Sequence, residues 1–312
     1  MEQEFLNRIH EDVSASSPHV LLGVGDDAAV LATRGSDTVL TVDMLTEGVD
    51  FLLDEVEPTL IGRKALAVNL SDLAAMSAVP TAILIAVSLP KTERQTGAGL
   101  MTPLALAESI FHGIRDLAEQ YGVAIAGGDT NTWDGGLAIA ITAIGKPTEY
   151  GVTRRDGAKV GDRIFVTGPL GGSILRHQFI FEPRVSEALY LNSHYEIHSA
   201  MDISDGLSLD LSRLAKASQC GAILWEAAIP ISNDARRMNG GKTPLEHALH
   251  DGEDFELLFT VSAETAEKLL RDQPLASPLY EIGEITEPAG GLIRILNADD
   301  NLTDHVPNGF LH

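Results

Sequence analysis

Carboxylates recur along this chain where an apolar segment runs into a turn: GDDAAVL (25–31), TVDML (41–45), NLSDLAAM (69–76), GGDT (127–130) and MDISDGLSLDL (201–211). Their apolar flanks set them apart from ordinary solvated surface. Burying one ionised carboxylate without a partner costs several kcal/mol, close to the whole stability margin of a domain. A converging set therefore needs cations, and the chain offers 22 Lys plus Arg against 45 Asp plus Glu. A hard divalent ion fits that need, and ligands that are all oxygen point to Mg2+ before zinc or copper.

Each acidic segment also has a plainer reading. Asp26 and Asp27 are adjacent, so their side chains face opposite ways and only one need enter a site; an Asp-rich turn also serves local hydrogen bonding. Asp43 lies inside a strand of β-branched residues, where the alternative is a polar strand edge. Asn69 and Asp72 stand three residues apart on one face of an apolar helix, so amide and carboxylate look inward together. The alternative there is Ser71 or Asp72 as an N-cap after a helix break. GGDT reads as a turn after a buried strand. In MDISDGL, Asp202 ends an apolar segment, and Ser204 or Asp205 is placed to cap the helix that follows, a position that also favours phosphate.

Positioning these groups takes regular elements. Alternation over 38–44 puts Val39, Thr41 and Asp43 on one face of a strand and Leu40, Val42 and Met44 on the other. Pro58 opens a helical stretch over 59–78 that is apolar almost all round, the pattern of a buried helix. Strands are expected at 82–89, 123–126 and 137–144, with an amphipathic helix over 103–121. The first domain ends near 145–151. A strand at 163–167 then leads into the Gly-rich GPLGGS and a helix. A further helix covers 205–218, with Leu207, Leu211 and Leu214 at i, i+4 and i+7. Strands at 255–261, 279–285 and 291–296, and a helix at 263–272, complete a second mixed domain.

Composition narrows the function. At 312 residues the chain has room for two domains. A formal charge of −23 argues against nucleic acid, whose phosphates need basic surface. It does not argue against nucleotides, because Mg2+ joins carboxylates to phosphate oxygens. The apolar runs at 82–89 and 222–231 fall short of the ~20 residues that cross a bilayer, and MEQEFLNRIHEDV lacks a signal-peptide pattern, so a cytoplasmic location is expected. Cys220 is the sole cysteine, which removes disulfides and cysteine-rich zinc sites. The sequence has no GxxxxGK[ST] loop, TGPLGGS lacks the dinucleotide fingerprint, and the ten histidines are scattered without an HExxH pair.

Taken together, GDDAAV, VDML-TEGV-DF, RKALAVNLSDLAAM, GGDT, RRDGAKVGDRIFVTG, DISDGL, GEDFELLF and IGEI resemble, in order and spacing, the segments of the thiamine-monophosphate kinases. That family belongs to a superfamily shared with aminoimidazole ribonucleotide synthetase, selenophosphate synthetase and a hydrogenase maturation protein, and the resemblance spans nearly the whole chain. It implies an α/β fold with mixed α+β sheets. Residues 1–148 would form an N-terminal domain for ATP, Mg2+ and dimerisation, and 149–312 a C-terminal α/β domain covering the ATP cleft. It also implies several Mg2+ ions, a homodimer, and in-line transfer of the ATP γ-phosphoryl group to thiamine monophosphate. Carried over by position, Asp27, Thr41, Asp43, Asp72, Asp129, Asp202 and Asp205 would surround the metals. Gly128, Asp129, Arg155 and Ser204 would contact ATP, with Phe111 as an adenine neighbour. Asp50, Glu253 and Phe310 would face the thiamine moiety, and Arg155, Asp72 and Asp205 would act in catalysis.

Three positions depart from the family pattern. Asp50 stands where the family has His, Asp251-Gly252-Glu253-Asp254 replaces GGED, and the C-terminal aromatic–His–aromatic pattern is cut short at Phe310-Leu311-His312. Two rival readings go with this one. The first is another ATP-dependent synthetase of the same superfamily; the chain lacks the catalytic Cys of the selenophosphate enzymes and the terminal Cys of the hydrogenase protein. The second is a non-catalytic Mg-nucleotide sensor, against which Arg155 and the full acidic set speak.

Overall fold

The computed structural model describes residues 19–23, 25–33, 35, 37–238, 240–288 and 292–310. The N-terminal segment read above for a signal peptide lies outside them, as do Leu311 and His312 of the shortened C-terminal pattern.

The alternation at 38–44 becomes the strand β3 (Thr38–Thr46), preceded by β1 (Val20–Leu22) and β2 (Ala29–Leu31). Val39 and Thr41 are buried while Val42 and Met44 are exposed, as the period of two requires. Helix α1 (Pro58–Ala75) follows, then β4 (Val79–Pro90), a small hairpin of β5 (Arg94–Thr96) and β6 (Gly99–Met101), helix α2 (Pro103–Tyr121), β7 (Ala124–Trp133) and β8 (Ala138–Lys146). The first sheet has the order β1-β2-β3-β8-β4-β7, antiparallel except for β4 against β7, which the α2 crossover makes parallel. Helices α1 and α2 cross where a Cβ on Gly113 would lie 1.8 Å from the Thr59 carbonyl and one on Gly62 2.0 Å from the Ile110 carbonyl. Only hydrogen side chains permit backbones that close.

The second half contributes β9 (Arg163–Val166), α3 (His177–Ile180), α4 (Val185–His194), β10 (Ser199–Asp202), α5 (Leu207–Ala217), β11 (Gly221–Trp225), α6 (Asn233–Arg237) and α7 (Pro244–His250). It ends with β12 (Leu257–Val261), α8 (Ala263–Asp272), β13 (Tyr280–Thr286), β14 (Ile293–Leu296) and β15 (Leu302–His305). The sheet order is β10-β12-β9-β13-β11-β14-β15, with β11 and β14 parallel. One face of this sheet packs Ile164, Val166 and Leu258 against Leu207, Leu211 and Leu214 of α5. The other carries Phe165, Phe259 and Val261 into the same core cluster as α1 and the first sheet. Helix α1 therefore lies between the halves, touching β3 and β8 on one side and α3, α4, β10 and β12 on the other. That position explains why its sequence is apolar all round.

Several sequence expectations are corrected. Helix α1 stops at Ala75 rather than 78 and runs unbroken through Ser71 and Asp72, so neither caps a second helix. Strand β7 extends to Trp133, so GGDT lies within an exposed edge strand and not in a turn after a buried one. Gly206 is the N-cap residue of α5 and has no capping side chain; neither Ser204 nor Asp205 caps it. Instead Asp210 turns back, accepting the amides of Asp205 at 2.9 Å and Gly206 at 3.1 Å. The strand expected from 255 begins at Leu257, because Glu253 and Phe255 sit at φ +66° and +51° and cannot extend the ladder. The GPLGGS turn leads into a 3-10 turn over 173–175 and the four-residue α3 rather than a full helix. Strands β10 and β11 form where the sequence showed only apolar runs.

Candidate active site

Three elements converge at one carboxylate cluster. The turn before β2 supplies Asp27, the last turn of α1 supplies Asp72, and the end of β10 supplies Asp202; each brings one oxygen within 4.8 Å of the other two. Asp27 and Asp202 are buried, and Asp72 is buried in part. Thr41, on the inward face of β3, donates its hydroxyl to Asp72. Ser71 donates to Asp202 at 2.6 Å. Arg155 forks onto Asp27, with Nε at 3.0 Å and the second nitrogen close to the other oxygen, while its amide reaches Asp26 at 3.2 Å. Asp26 and Asp27 thus both turn toward Arg155, and Asp27 alone joins the cluster.

The electrostatics follow from this crowding. Burial, then the charges of Asp43, Asp202 and Asp27, hold the Asp72 carboxyl well above its ordinary range, against the pull of the Thr41 hydrogen bond. Burial and Asp27 do the same to Asp202. Burial opposes the charge on Arg155, but Asp27 beside it more than offsets this and raises the guanidinium further. One arginine faces several acids. Hard oxygen donors that repel one another at such close range fit a divalent cation, which supplies the missing positive charge.

The other expected ligands stand apart. Asp43 borders the cluster as the strongest charge acting on Asp72. Asp205 pairs with Arg213 at 2.5 Å, and Arg213 also holds Asp210 at 2.8 Å. Asp129 pairs in register with Ala86, which faces Ala140 and Met44 across the sheet. Strand alternation therefore turns Asp129 to the exposed face of the sheet, opposite Thr41 and Asp43. Gly128 beside it lies so near β4 that a Cβ would come 1.9 Å from the Ile85 carbonyl. Phe111 is exposed on α2. Within this chain, Gly128, Asp129 and Phe111 belong neither to the cluster nor to the cavity described next.

That cavity, of about 970 Å³, is lined by Asp50, Glu253 and Phe310 together, with Asp251, Gln178 and Phe179 among their neighbours. Residues assigned to one substrate moiety from distant parts of the sequence thus share one wall. The Asp50 carboxylate accepts the Thr46 amide at 2.6 Å. The DISDGL loop braces the cavity through its backbone, Ser204 accepting the Glu253 amide at 2.7 Å and Asp205 the Phe310 amide at 2.9 Å. Asp251, where the family has Gly, takes His247 at 2.7 Å and Lys242 at 2.9 Å. Sequence reasoning missed Lys64, Ser71, Asp210 and Arg213. For Lys64 a signal existed, the adjacent cations Arg63 and Lys64 in a largely apolar, buried helix.

Residues 25–146 match the AIR synthase related protein N-terminal domain, and residues 159–295 match the C-terminal domain of the same proteins. Those matches define the class, with both domains in order. The thiamine-monophosphate kinase of Rhodopirellula baltica is 40% identical over 100% of this chain and 97% of its own length. A crystal structure of the thiamine-monophosphate kinase from Stenotrophomonas maltophilia is 34% identical, covers 93% of this chain and 94% of that one, and superposes with a TM-score of 0.71. The complex of AaThiL with AMPPCP and TMP is 27% identical, covers 99% and 96%, and gives a TM-score of 0.81. The chain belongs to the AIR synthase related class and, within it, to the thiamine-monophosphate kinase family.

Proposed function

We propose that the protein transfers the γ-phosphoryl group of ATP to thiamine monophosphate, giving thiamine diphosphate and ADP. The observation that carries this is the placement of the carboxylate cluster and the cavity along one buried helix, in a chain that shares 40% of its residues with a thiamine-monophosphate kinase. Binding of AMPPCP and TMP by a neighbour of the same fold supports the same pair of substrates.

The chemistry asks little of a general base. A phosphate-monoester oxygen is already largely ionised at neutral pH, so the requirement is in-line alignment and neutralisation of crowded charge. Asp27, Asp72 and Asp202 would hold Mg2+, with Asp43 contributing from the border, and Asp205, paired with Arg213, would join them from the loop after β10. Bound Mg2+ links carboxylate to phosphate oxygens and offsets charge that develops during transfer. Thr41 and Ser71 orient the Asp72 and Asp202 carboxylates. Arg155 keeps a permanent positive charge at the cluster's edge and, with Ser204, would meet the nucleotide. The cavity at Asp50, Glu253 and Phe310 would take the cationic thiamine end.

Incubating the purified protein with ATP, Mg2+ and thiamine monophosphate should yield thiamine diphosphate by chromatography, with the reaction abolished by chelation. Free thiamine should not be phosphorylated. Absence of thiamine diphosphate, or comparable turnover of free thiamine, would sink the assignment.

The domain division at 148/149, a cytoplasmic location and a homodimer belong to the same reading. None of the described helices is long and apolar enough to cross a membrane. The homodimer is supported by the face of the first sheet opposite α1, where Val42, Met44 and Leu84 are exposed. A second copy covering that face would also meet Asp129, with Gly128 beside it, which is how these two would reach a nucleotide. Light scattering should give about twice the 33.3 kDa chain mass, and a monomer would refute this part.

A further inference from the structure

Lys64 is fully buried at 0% exposure in the first half of α1. Its ammonium group donates to the Asp50 carbonyl at 2.9 Å, to Gln178 Oε1 at 2.6 Å and to Glu253 Oε2 at 2.5 Å, which uses all three of its donors. The Phe179 ring lies 5.1 Å away, within cation–π range. Every one of these four partners lines the cavity, whereas Lys64 itself lies behind it. Three of them come from the second half of the chain, so the lysine also ties that half to α1. Glu253 is held in a left-handed conformation at φ +66°, which surrounding contacts must maintain.

We propose that Lys64 is a positioning residue for the acceptor: from behind the wall it fixes Glu253, Gln178 and the Asp50 loop in the arrangement that receives the cationic end of thiamine monophosphate. This rests on the function proposed above. Eight residues separate Lys64 from Asp72, about 12 Å along the helix axis, so one rigid element references both the acceptor's ring end and the transferring phosphate. Because Lys64 is remote from the cluster, its influence falls on acceptor binding rather than on the nucleotide.

The test is steady-state kinetics in both substrates on wild type, Lys64→Met, Glu253→Gln and the double variant. Lys64→Met should raise KM for thiamine monophosphate by about ten-fold or more, with kcat and KM for ATP within about two-fold of wild type. In the double variant that KM should stay within about three-fold of Glu253→Gln alone, because the lysine acts chiefly through the Glu253 carboxylate with which it pairs. An unchanged KM in Lys64→Met, or equal losses in kcat and KM for ATP, would overturn the proposal. Should Lys64→Met fail to fold through its uncompensated carboxylate, the double variant lacks that defect and decides the matter; a larger rise over Glu253→Gln overturns it. Wild type that turns over thiamine monophosphate separates failure of this inference from failure of the function, whereas inactive wild type overturns both.

Discussion

At Asp72, the enclosure that suits a metal works against the stability of the metal-free chain, because Asp43, Asp202 and Asp27 all oppose its ionisation. Asp72→Asn should therefore lower kcat by about a hundred-fold or more while leaving the fold intact. In chelator the same variant should be more stable by roughly 1 kcal/mol, a rise of about 2–4 °C in melting temperature. Wild-type activity in that variant would refute the ligand role, and a lower melting temperature would refute the electrostatic account. Asp50→Asn makes a milder case, since the amide oxygen can still accept from Thr46. KM for thiamine monophosphate should rise about ten-fold or less, with kcat and KM for ATP unchanged. Residue types at fixed spacing were legible where a periodicity governed them, as for Thr41 on its strand and Asp72 on its helix. Asp129 was not legible, because a glycine pair and an aspartate look alike in a turn and on a sheet edge. The face it occupies depends on pairing with β4, and the sequence does not show the partner strand.

At the scale of elements, α1 carries the site, and its crossing with α2 fixes where α1 lies. Gly113→Ala should place a methyl against the Thr59 carbonyl and destabilise the protein by roughly 1–3 kcal/mol or more, read from urea unfolding. Unaltered stability would mean that the helices can separate without cost. The long elements other than β7, which was read as four residues and runs to ten, were read well from sequence: α2 and α8 span the expected residues, and α1, β4 and β8 differ by a few at their ends. What failed were short strands and the junctions at 202–207 and 251–257. There the backbone follows side-chain bonds from distant residues, such as Asp254 accepting the Gly171 amide at 2.9 Å, rather than local propensity.

For the whole molecule, the excess of acid should set the pH dependence. Burial raises Asp26 to about 6 and Asp210 to about 7, from 3.8 in each case, and Asp72 and Asp202 are raised as well. Between 3.8 and these values the folded chain keeps protons that the unfolded chain has released, so stability falls as pH rises through that window. The net charge of −23 acts in the same sense. Calorimetry in chelator should show the melting temperature dropping between about pH 4 and pH 7, with Mg2+ restoring more of it at the higher pH because the ion then competes with fewer protons. A melting temperature that climbs with pH in chelator would contradict this.

The hydrophobic cluster that runs from the first sheet through α1 to Phe165, Phe259 and Val261 bears on how such a chain can be inherited. As patterns in sequence the two halves are modules, each matched by its own family model. As objects they share an interior. A graft that replaced one half with that of a relative would have to match the flank of α1 residue by residue, or carry α1 along with the half it joins. The helix is therefore the true seam of the molecule, and recombination tolerated elsewhere in the chain should fail across it.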